Sequence, residues 1–107
     1  MKAPIIISPK PPRITFAQFC SLHNLPIHIY ERGPESLTWL KTYNPLAAYR
    51  YYAFIPHLGV AENEVIYSGP CGNGDTTQSA IKNLARKMSN KEVRVDHRFI
   101  RVPKLKE

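Results

Sequence analysis

Gly72-Asn73-Gly74-Asp75-Thr76-Thr77-Gln78-Ser79-Ala80-Ile81-Lys82-Asn83-Leu84-Ala85-Arg86-Lys87-Met88-Ser89 is the stretch that states its structure most plainly. Gly72 and Gly74 permit a sharp change of chain direction and predict a turn. Asp75 or Thr76 then caps the free N–H groups of a helix, and Gln78 stands three residues after Asp75, as in a capping box. Ala80, Ile81, Leu84, Ala85 and Met88 recur at helical spacing and predict one apolar face. Lys82, Arg86 and Asn90 fall on another face, beside Asn83 and Lys87, so the outer surface of the helix is basic. Ser89-Asn90 predicts its end.

Upstream, Thr15-Phe16-Ala17-Gln18 reads as a second helix start, with Thr15 as cap, Gln18 completing the box, and Ile14 and Phe19 at the hydrophobic-staple positions. Asn24 closes that helix in a left-handed conformation. Ile27 to Glu31 alternates and predicts a strand. Arg32-Gly33-Pro34-Glu35-Ser36 reads as a loop, and Leu37 to Tyr43 fits a loop, a short helix or an irregular strand. Tyr49-Arg50-Tyr51-Tyr52-Ala53-Phe54-Ile55 is a strand dense in aromatic residues. Pro56-His57-Leu58-Gly59 ends it, Glu62-Asn63-Glu64 is a polar turn, and Val65 to Ser68 is the next strand. Downstream, Glu92-Val93-Arg94-Val95 and Phe99-Ile100-Arg101-Val102 alternate apolar and basic residues, as short strands or an extended arm, and Lys104–Glu107 is expected to fray.

The chain of 107 residues is therefore read as an α+β protein. A proline-rich arm (1–14) precedes a helix–three antiparallel strands–helix domain (15–90), and a basic extended segment (91–107) follows. Apolar residues make up 43% and charged residues 21%, as in ordinary folded domains. No apolar run is long enough to span a bilayer. Residues 1–8 lack the length and cleavage site of a signal peptide, so a cytoplasmic protein is expected. Cys20 and Cys71 are expected as buried or half-buried free thiols.

The charge is uneven. From Lys82 to Glu107 the chain holds nine of its fifteen Lys and Arg residues but three of its eight acids, which concentrates most of the net +7 at one end. Such a region suits an anionic partner, either nucleic acid or an acidic protein face. The candidate contact residues are Lys82, Arg86, Lys87, Lys91, Arg94, Arg98 and Arg101, with Arg50 from the aromatic strand. With period two, Tyr49, Tyr51, Ala53 and Ile55 share one strand face and Arg50, Tyr52 and Phe54 the other. The bulkier face is expected under the helices. If Arg50, Tyr52 and His28 lie on an open face instead, they form a platform for stacking bases.

Catalytic chemistry finds little support. His23, His28, His57 and His97 are scattered, with no zinc-site spacing, so no metal is expected. Neither cysteine lies in a nucleophile motif. Cys71 is the thiol worth testing, because a nearby helix N-terminus would lower its pKa. Gly72-Asn73-Gly74 before a helix outlines a phosphate cradle. The stretch lacks both the Gly-Lys-Ser/Thr ending of a P-loop and the third glycine of a dinucleotide fingerprint, and Asp75 would repel phosphate there. No cofactor and no enzymatic activity are expected.

The order helix, three strands, helix from about Thr15 to Ser89 resembles the double-stranded RNA-binding domain. Phe16 to Tyr30 is similar to that family's first helix and strand, Gly74 and Ala80 to the start of its second helix, and Leu84-Ala85 to its buried small-residue pair. The resemblance implies duplex binding by basic residues at the start of the second helix. The matching positions here are Thr77, Gln78 and Ile81, with the first basic residue at Lys82. Phe54 to Gly59, Gly74-Asp75-Thr76 and Ala80-Ile81 are similar to HicB-type antitoxins, and the Gly-Asn-Gly-Asp-Thr start resembles small bacteriophage accessory proteins. Together these imply a non-enzymatic nucleic-acid-binding module of bacterial or phage type, using the basic helix face and C-terminal segment. The alternative is a phage-encoded inhibitor that binds a host defence protein.

Overall fold

The computed structural model describes residues 13–62 and 65–106. Residues 1–12 of the expected proline-rich arm (1–14), and Asn63-Glu64 of the expected turn at Glu62-Asn63-Glu64, lie outside the described residues. The elements run in the order α1 (Phe16–Leu22), β1 (His28–Glu31), α2 (Pro34–Tyr43), a 3-10 turn (Pro45–Ala47), β2 (Tyr51–Phe54), β3 (Leu58–Glu62), β4 (Val65–Ser68), β5 (Cys71–Gly74), α3 (Thr77–Met88), β6 (Glu92–Val95) and β7 (Arg98–Arg101). The protein is mixed α+β, with two antiparallel sheets. Sheet one has the order β1-β2-β5 and sheet two the order β4-β3-β6-β7. This is richer than two helices on three strands. The Leu37–Tyr43 segment belongs to a helix that begins at Pro34, and the residues read as ending the aromatic strand begin a new one.

The two sheets share one long hairpin. β2 continues into β3 through Ile55-Pro56-His57, where His57 has φ 60, and β4 continues into β5 through Gly69-Pro70, where Gly69 has φ 69. Proline cannot donate to the ladder, and the left-handed residues redirect the chain, so both strands bend together. Gly69 N–H donates to Leu58 O across the bend. β2 therefore pairs with β5 (Tyr52 opposite Asn73, Phe54 opposite Cys71), and β3 pairs with β4 in the second sheet.

Local chemistry at the helix ends follows the sequence. Thr15 caps α1 with a full capping box, and Asn24 follows at φ 54. Thr76 caps α3 by accepting from Ser79 N–H, which resolves the choice between Asp75 and Thr76. Gly72 and Gly74, expected in a turn, lie in β5 instead. Their role is close packing. A Cβ on either would come under 3.0 Å from atoms of Ser79, Ala80 or Leu84, so the bare strand lets the α3 backbone settle directly on it. Ala53 beside them on β2 has no exposed surface.

A single core lies between the helices and the inner sheet faces. It joins Phe16, Phe19 and Cys20 of α1 and Ala80, Leu84 and Met88 of α3 to Ala53, Ile55, Leu58, Val60, Val93 and Val95. The C-terminal residues are part of it. β6 and β7 are strands, of the two alternatives open from sequence. Val102 and Leu105 are buried, and Leu105 N–H donates to Ser89 Oγ. Lys106 N–H donates to Ile14 O at 2.9 Å, which ties the expected frayed end to the start of α1.

Candidate functional site

Alternation along β2 decides what sheet one shows to solvent. Ala53 and Ile55 are buried beneath α3, so Tyr52 and Phe54 stand on the opposite face. The face made of Tyr51, Ala53 and Ile55 is the one turned to the core, with Ala53 opposite Gly72 where α3 comes closest. Pairing with β1 sets His28 opposite Phe54 and Tyr30 opposite Tyr52. The four rings form a continuous ladder. Centroids are 5.5 Å apart for His28–Phe54 and for Tyr30–Tyr52, 5.6 Å for Tyr30–Phe54 and 6.0 Å for Tyr52–Phe54. The three rings of Tyr30, Tyr52 and Phe54 are near-parallel, and Tyr30 is 49% exposed. Such pairs contribute roughly 0.5–1.5 kcal/mol each beyond area burial.

Arg32 holds one end of the ladder. Its guanidinium carbon sits 4.4 Å from the centre of the Tyr52 ring. Its nitrogens donate to Tyr49 O at 2.9 Å and to Asn73 Oδ1 at 2.8 Å, which links β1, the chain leading into β2, and β5. Arg32 N–H also donates to Arg50 O and extends the β1–β2 ladder by one pair. From sequence this residue is part of a loop. The available signal was its place one residue beyond an alternating strand, in phase with His28 and Tyr30.

Beyond Arg32 the chain enters α2. This helix buries no residue, although its Trp39 and Tyr43 rings pack at 5.0 Å. Trp39 is 59% exposed and Leu46, just after the helix, 87%. A helix with no core face is held by its connections and leaves its apolar side unpartnered. Between α2 and the ladder lies a cleft of about 660 Å³, walled by Tyr30, Tyr52, Trp39 and Leu40 and edged by Glu31, Arg32 and Glu35.

The basic residues expected to form the contact surface separate into several places. Lys82 and Arg86 of α3 share a cleft of about 340 Å³ with Lys106, over an apolar floor of Phe16, Ile81, Ala85 and Leu105. Lys87 Nζ donates to Cys71 O and Asn83 Nδ2 to Asn73 O, so both side chains cover the outer carbonyls of edge strand β5. Lys91 is half-buried beside the α3 C-terminus. Arg94 lies 5.9 Å from the Phe99 ring, on sheet two. Arg98 is exposed on β7, and Arg101 donates to Asn90 Oδ1 at 3.0 Å. Arg50 is paired with Glu31 at 2.6 Å, near the ladder.

Compared with protein-family models, with curated proteins and with solved structures, the chain matches none. Its chemistry is therefore read from its own residues. Among the described residues no group of three His, Cys, Asp or Glu side chains gathers as a metal site, and no helix is long and apolar enough to cross a membrane. Both thiols are free. Burial pushes Cys20 up to about 11. Cys71, expected to be acidic beside a helix start, sits in a strand. Its pKa is raised by burial, against smaller opposing effects of Arg32 and Lys87. Neither thiol is activated as a nucleophile. The ladder thus has exposed His28 and Tyr30 on β1 beside half-buried Tyr52 and Phe54 on β2, with Arg32 at one end and the cleft adjoining it.

Proposed function

We propose that the chain is a non-enzymatic nucleic-acid-binding module that holds a single strand on the open face of sheet one. The carrying observation is the ladder of His28, Phe54, Tyr30 and Tyr52 on the face opposite α3. Every base has a π face, so exposed rings bind strands with little dependence on sequence, at about 1–3 kcal/mol per stacked base. A net charge of +7 supplies the long-range attraction. The succession α1, β1, β2, β5, α3, with sheet order β1-β2-β5, is consistent with a double-stranded RNA-binding-domain-like core in which α2, β3 and β4 are additions. The duplex-binding mode of that family has less support. The first turn of α3 is Thr77-Gln78-Ser79-Ala80, without a basic residue, and Lys87 is engaged with β5. Lys82, Arg86 and Lys106, gathered around one cleft, would serve as an auxiliary phosphate-attracting group.

Titration of a labelled oligothymidylate of about 4–16 nucleotides tests this reading. Binding is expected to weaken with salt at a log–log slope of about −0.7 for each phosphate neutralised. Absence of any binding at low salt sinks the proposal. A second reading, a phage-type inhibitor of a host protein, is favoured by one observation: α2 and its following turn expose Trp39, Tyr43 and Leu46 without burying a residue. Aromatic anchors of this kind dominate protein interfaces. Recovery of one stoichiometric protein partner, insensitive to nuclease, would select that reading, and recovery of nucleic acid alone would reject it.

A further inference from the structure

We infer that the cleft bordered by α3, the start of α1 and the C-terminal segment binds a medium-chain alkyl carboxylate, an apolar chain with one anionic head. None of its lining residues belongs to the ladder, and the inference does not rest on the single-strand reading. Three separate parts of the chain meet there. Ile81 and Ala85, one turn apart, come from α3, Phe16 from α1, and Leu105 from the C-terminal segment. Hydrogen bonds from its backbone fix that segment in place. Leu105 N–H donates to Ser89 Oγ and Lys106 N–H to Ile14 O, each at 2.9 Å. The concavity is therefore built by the fold itself, as ligand sites usually are.

The lining carries charge of one sign. Lys82 and Arg86, again one turn apart on α3, and Lys106 belong to it, and among the described residues no Asp or Glu does. Arg86 donates to Asn83 Oδ1 at 3.3 Å. The Lys82 and Lys106 side chains have no hydrogen-bond or ion-pair partner among the described residues. The anionic head is therefore assigned to these two lysines. Their long stems extend the apolar wall while their ammonium groups stay in water.

Floor and rim together restrict the ligand. A small hydrated anion would leave the apolar floor wet, and a plain hydrocarbon would leave the lysines without a counter-charge. A cationic amphiphile would be repelled. Residues 1–12 carry Lys2 and Lys10 and no acid, so they do not complement this rim either. An apolar chain ending in a carboxylate meets both demands, with its charge at the wet edge rather than buried. The volume of about 340 Å³ lies at the small end of the roughly 300–1,000 Å³ of ordinary ligand sites. At roughly 30 Å³ for each water-sized group it holds about eleven non-hydrogen atoms. That is the size of octanoate or decanoate.

NMR titration of the full chain with butyrate, hexanoate, octanoate, decanoate and dodecanoate, each below its micelle concentration, tests this. Backbone amides of Ile81, Ala85 and Leu105 should shift while the ladder signals stay still. Affinity should rise about two- to fourfold for each added methylene and level off beyond decanoate. Octanol should bind about fivefold more weakly than octanoate, and octylamine more weakly still. In the double variant Lys82→Gln, Lys106→Gln, octanoate affinity should fall to that of octanol, with octanol binding unchanged. Equal affinity of the parent chain for octanoate and octanol overturns the inference, as does affinity independent of chain length. Octanoate shifts that leave Ile81, Ala85 and Leu105 unmoved also overturn it. Shifts of these three amides with oligothymidylate but none with octanoate would overturn it in favour of the strand.

Discussion

Replacing Gly72 with alanine probes the contact on which the architecture depends. A methyl group at Gly72 would lie 2.8 Å from Leu84 Cβ and closer still to Ala80 O and Leu84 N, all on α3. Two of these atoms are backbone, so no rotamer change relieves the clash and α3 must move away from β5. Overpacking of this kind costs about 1–3 kcal/mol, with a backbone neighbour placing Gly72→Ala at about 3. Gly72 does not need a left-handed φ. Alanine therefore recovers about 0.4–1 kcal/mol through the less flexible unfolded chain. The net loss is about 2–3 kcal/mol, from a total of about 5–15 for a small domain. It should lower Tm by about 10–20 °C. Urea unfolding followed by far-ultraviolet circular dichroism, at unchanged m, measures it. Gly33→Ala is the control, since its methyl group would meet nothing within 4 Å. It should change stability by under about 0.5 kcal/mol. Unfolding of Gly72→Ala at the parent midpoint, or an equal loss in Gly33→Ala, would refute the close approach of α3 to β5.

Other outcomes follow from the same structure. Leu84→Ala, at a side chain with no exposed surface, should cost about 2–5 kcal/mol in the urea midpoint. Asn83→Ala removes the bond to Asn73 O and should cost about 1 kcal/mol, with increased self-association by light scattering as edge β5 is uncovered. Thiol labelling of the folded chain should modify half-buried Cys71 before Cys20. Because Cys20 rises from 9.0 to about 11 in the fold, the unfolded thiol ionises first. Its contribution to stability is complete below pH 9 and falls as pH climbs toward 11, a decline that Cys20→Ala should flatten in urea midpoints. Tyr30→Ala should weaken oligothymidylate binding by about 1–3 kcal/mol by anisotropy, whereas Lys82→Ala should chiefly reduce the salt slope.

What could be read from the sequence was mainly local. The capping box at Thr15, the left-handed Asn24, the apolar stripe of α3 and the alternation of β1 depend on neighbours a few residues away, and they stand where expected. The glycines show the limit. Gly72 and Gly74 read as a turn because glycine permits turning, but they serve a packing contact with residues 79–84 that only the tertiary structure reveals. The bend at Ile55-Pro56-His57 was read as a strand end, since nothing local says that Leu58 resumes pairing in another sheet. The open aromatic face depended on which side of β2 the helix takes, and ring size did not separate the two sides, since Tyr51 faces the core while Tyr52 and Phe54 lie on the other face. Small Ala53 opposite Gly72 was the relevant signal. Arg32 could not be found by charge clustering, because its partners Tyr49 and Asn73 are distant in sequence. The basic run from Lys82 to Arg101 was visible as composition, but one helix and two strands of another sheet carry it to different surfaces.

Two-dimensional NMR of the labelled chain, titrated with oligothymidylate at low salt, tests the central claim most directly. Ring-current shifts should appear at His28, Tyr30, Tyr52 and Phe54, with α3 backbone amides from Lys82 to Lys87 moving little. Shifts confined to α3, or to Arg94, Arg98 and Arg101, with the ladder signals unmoved, would contradict the account.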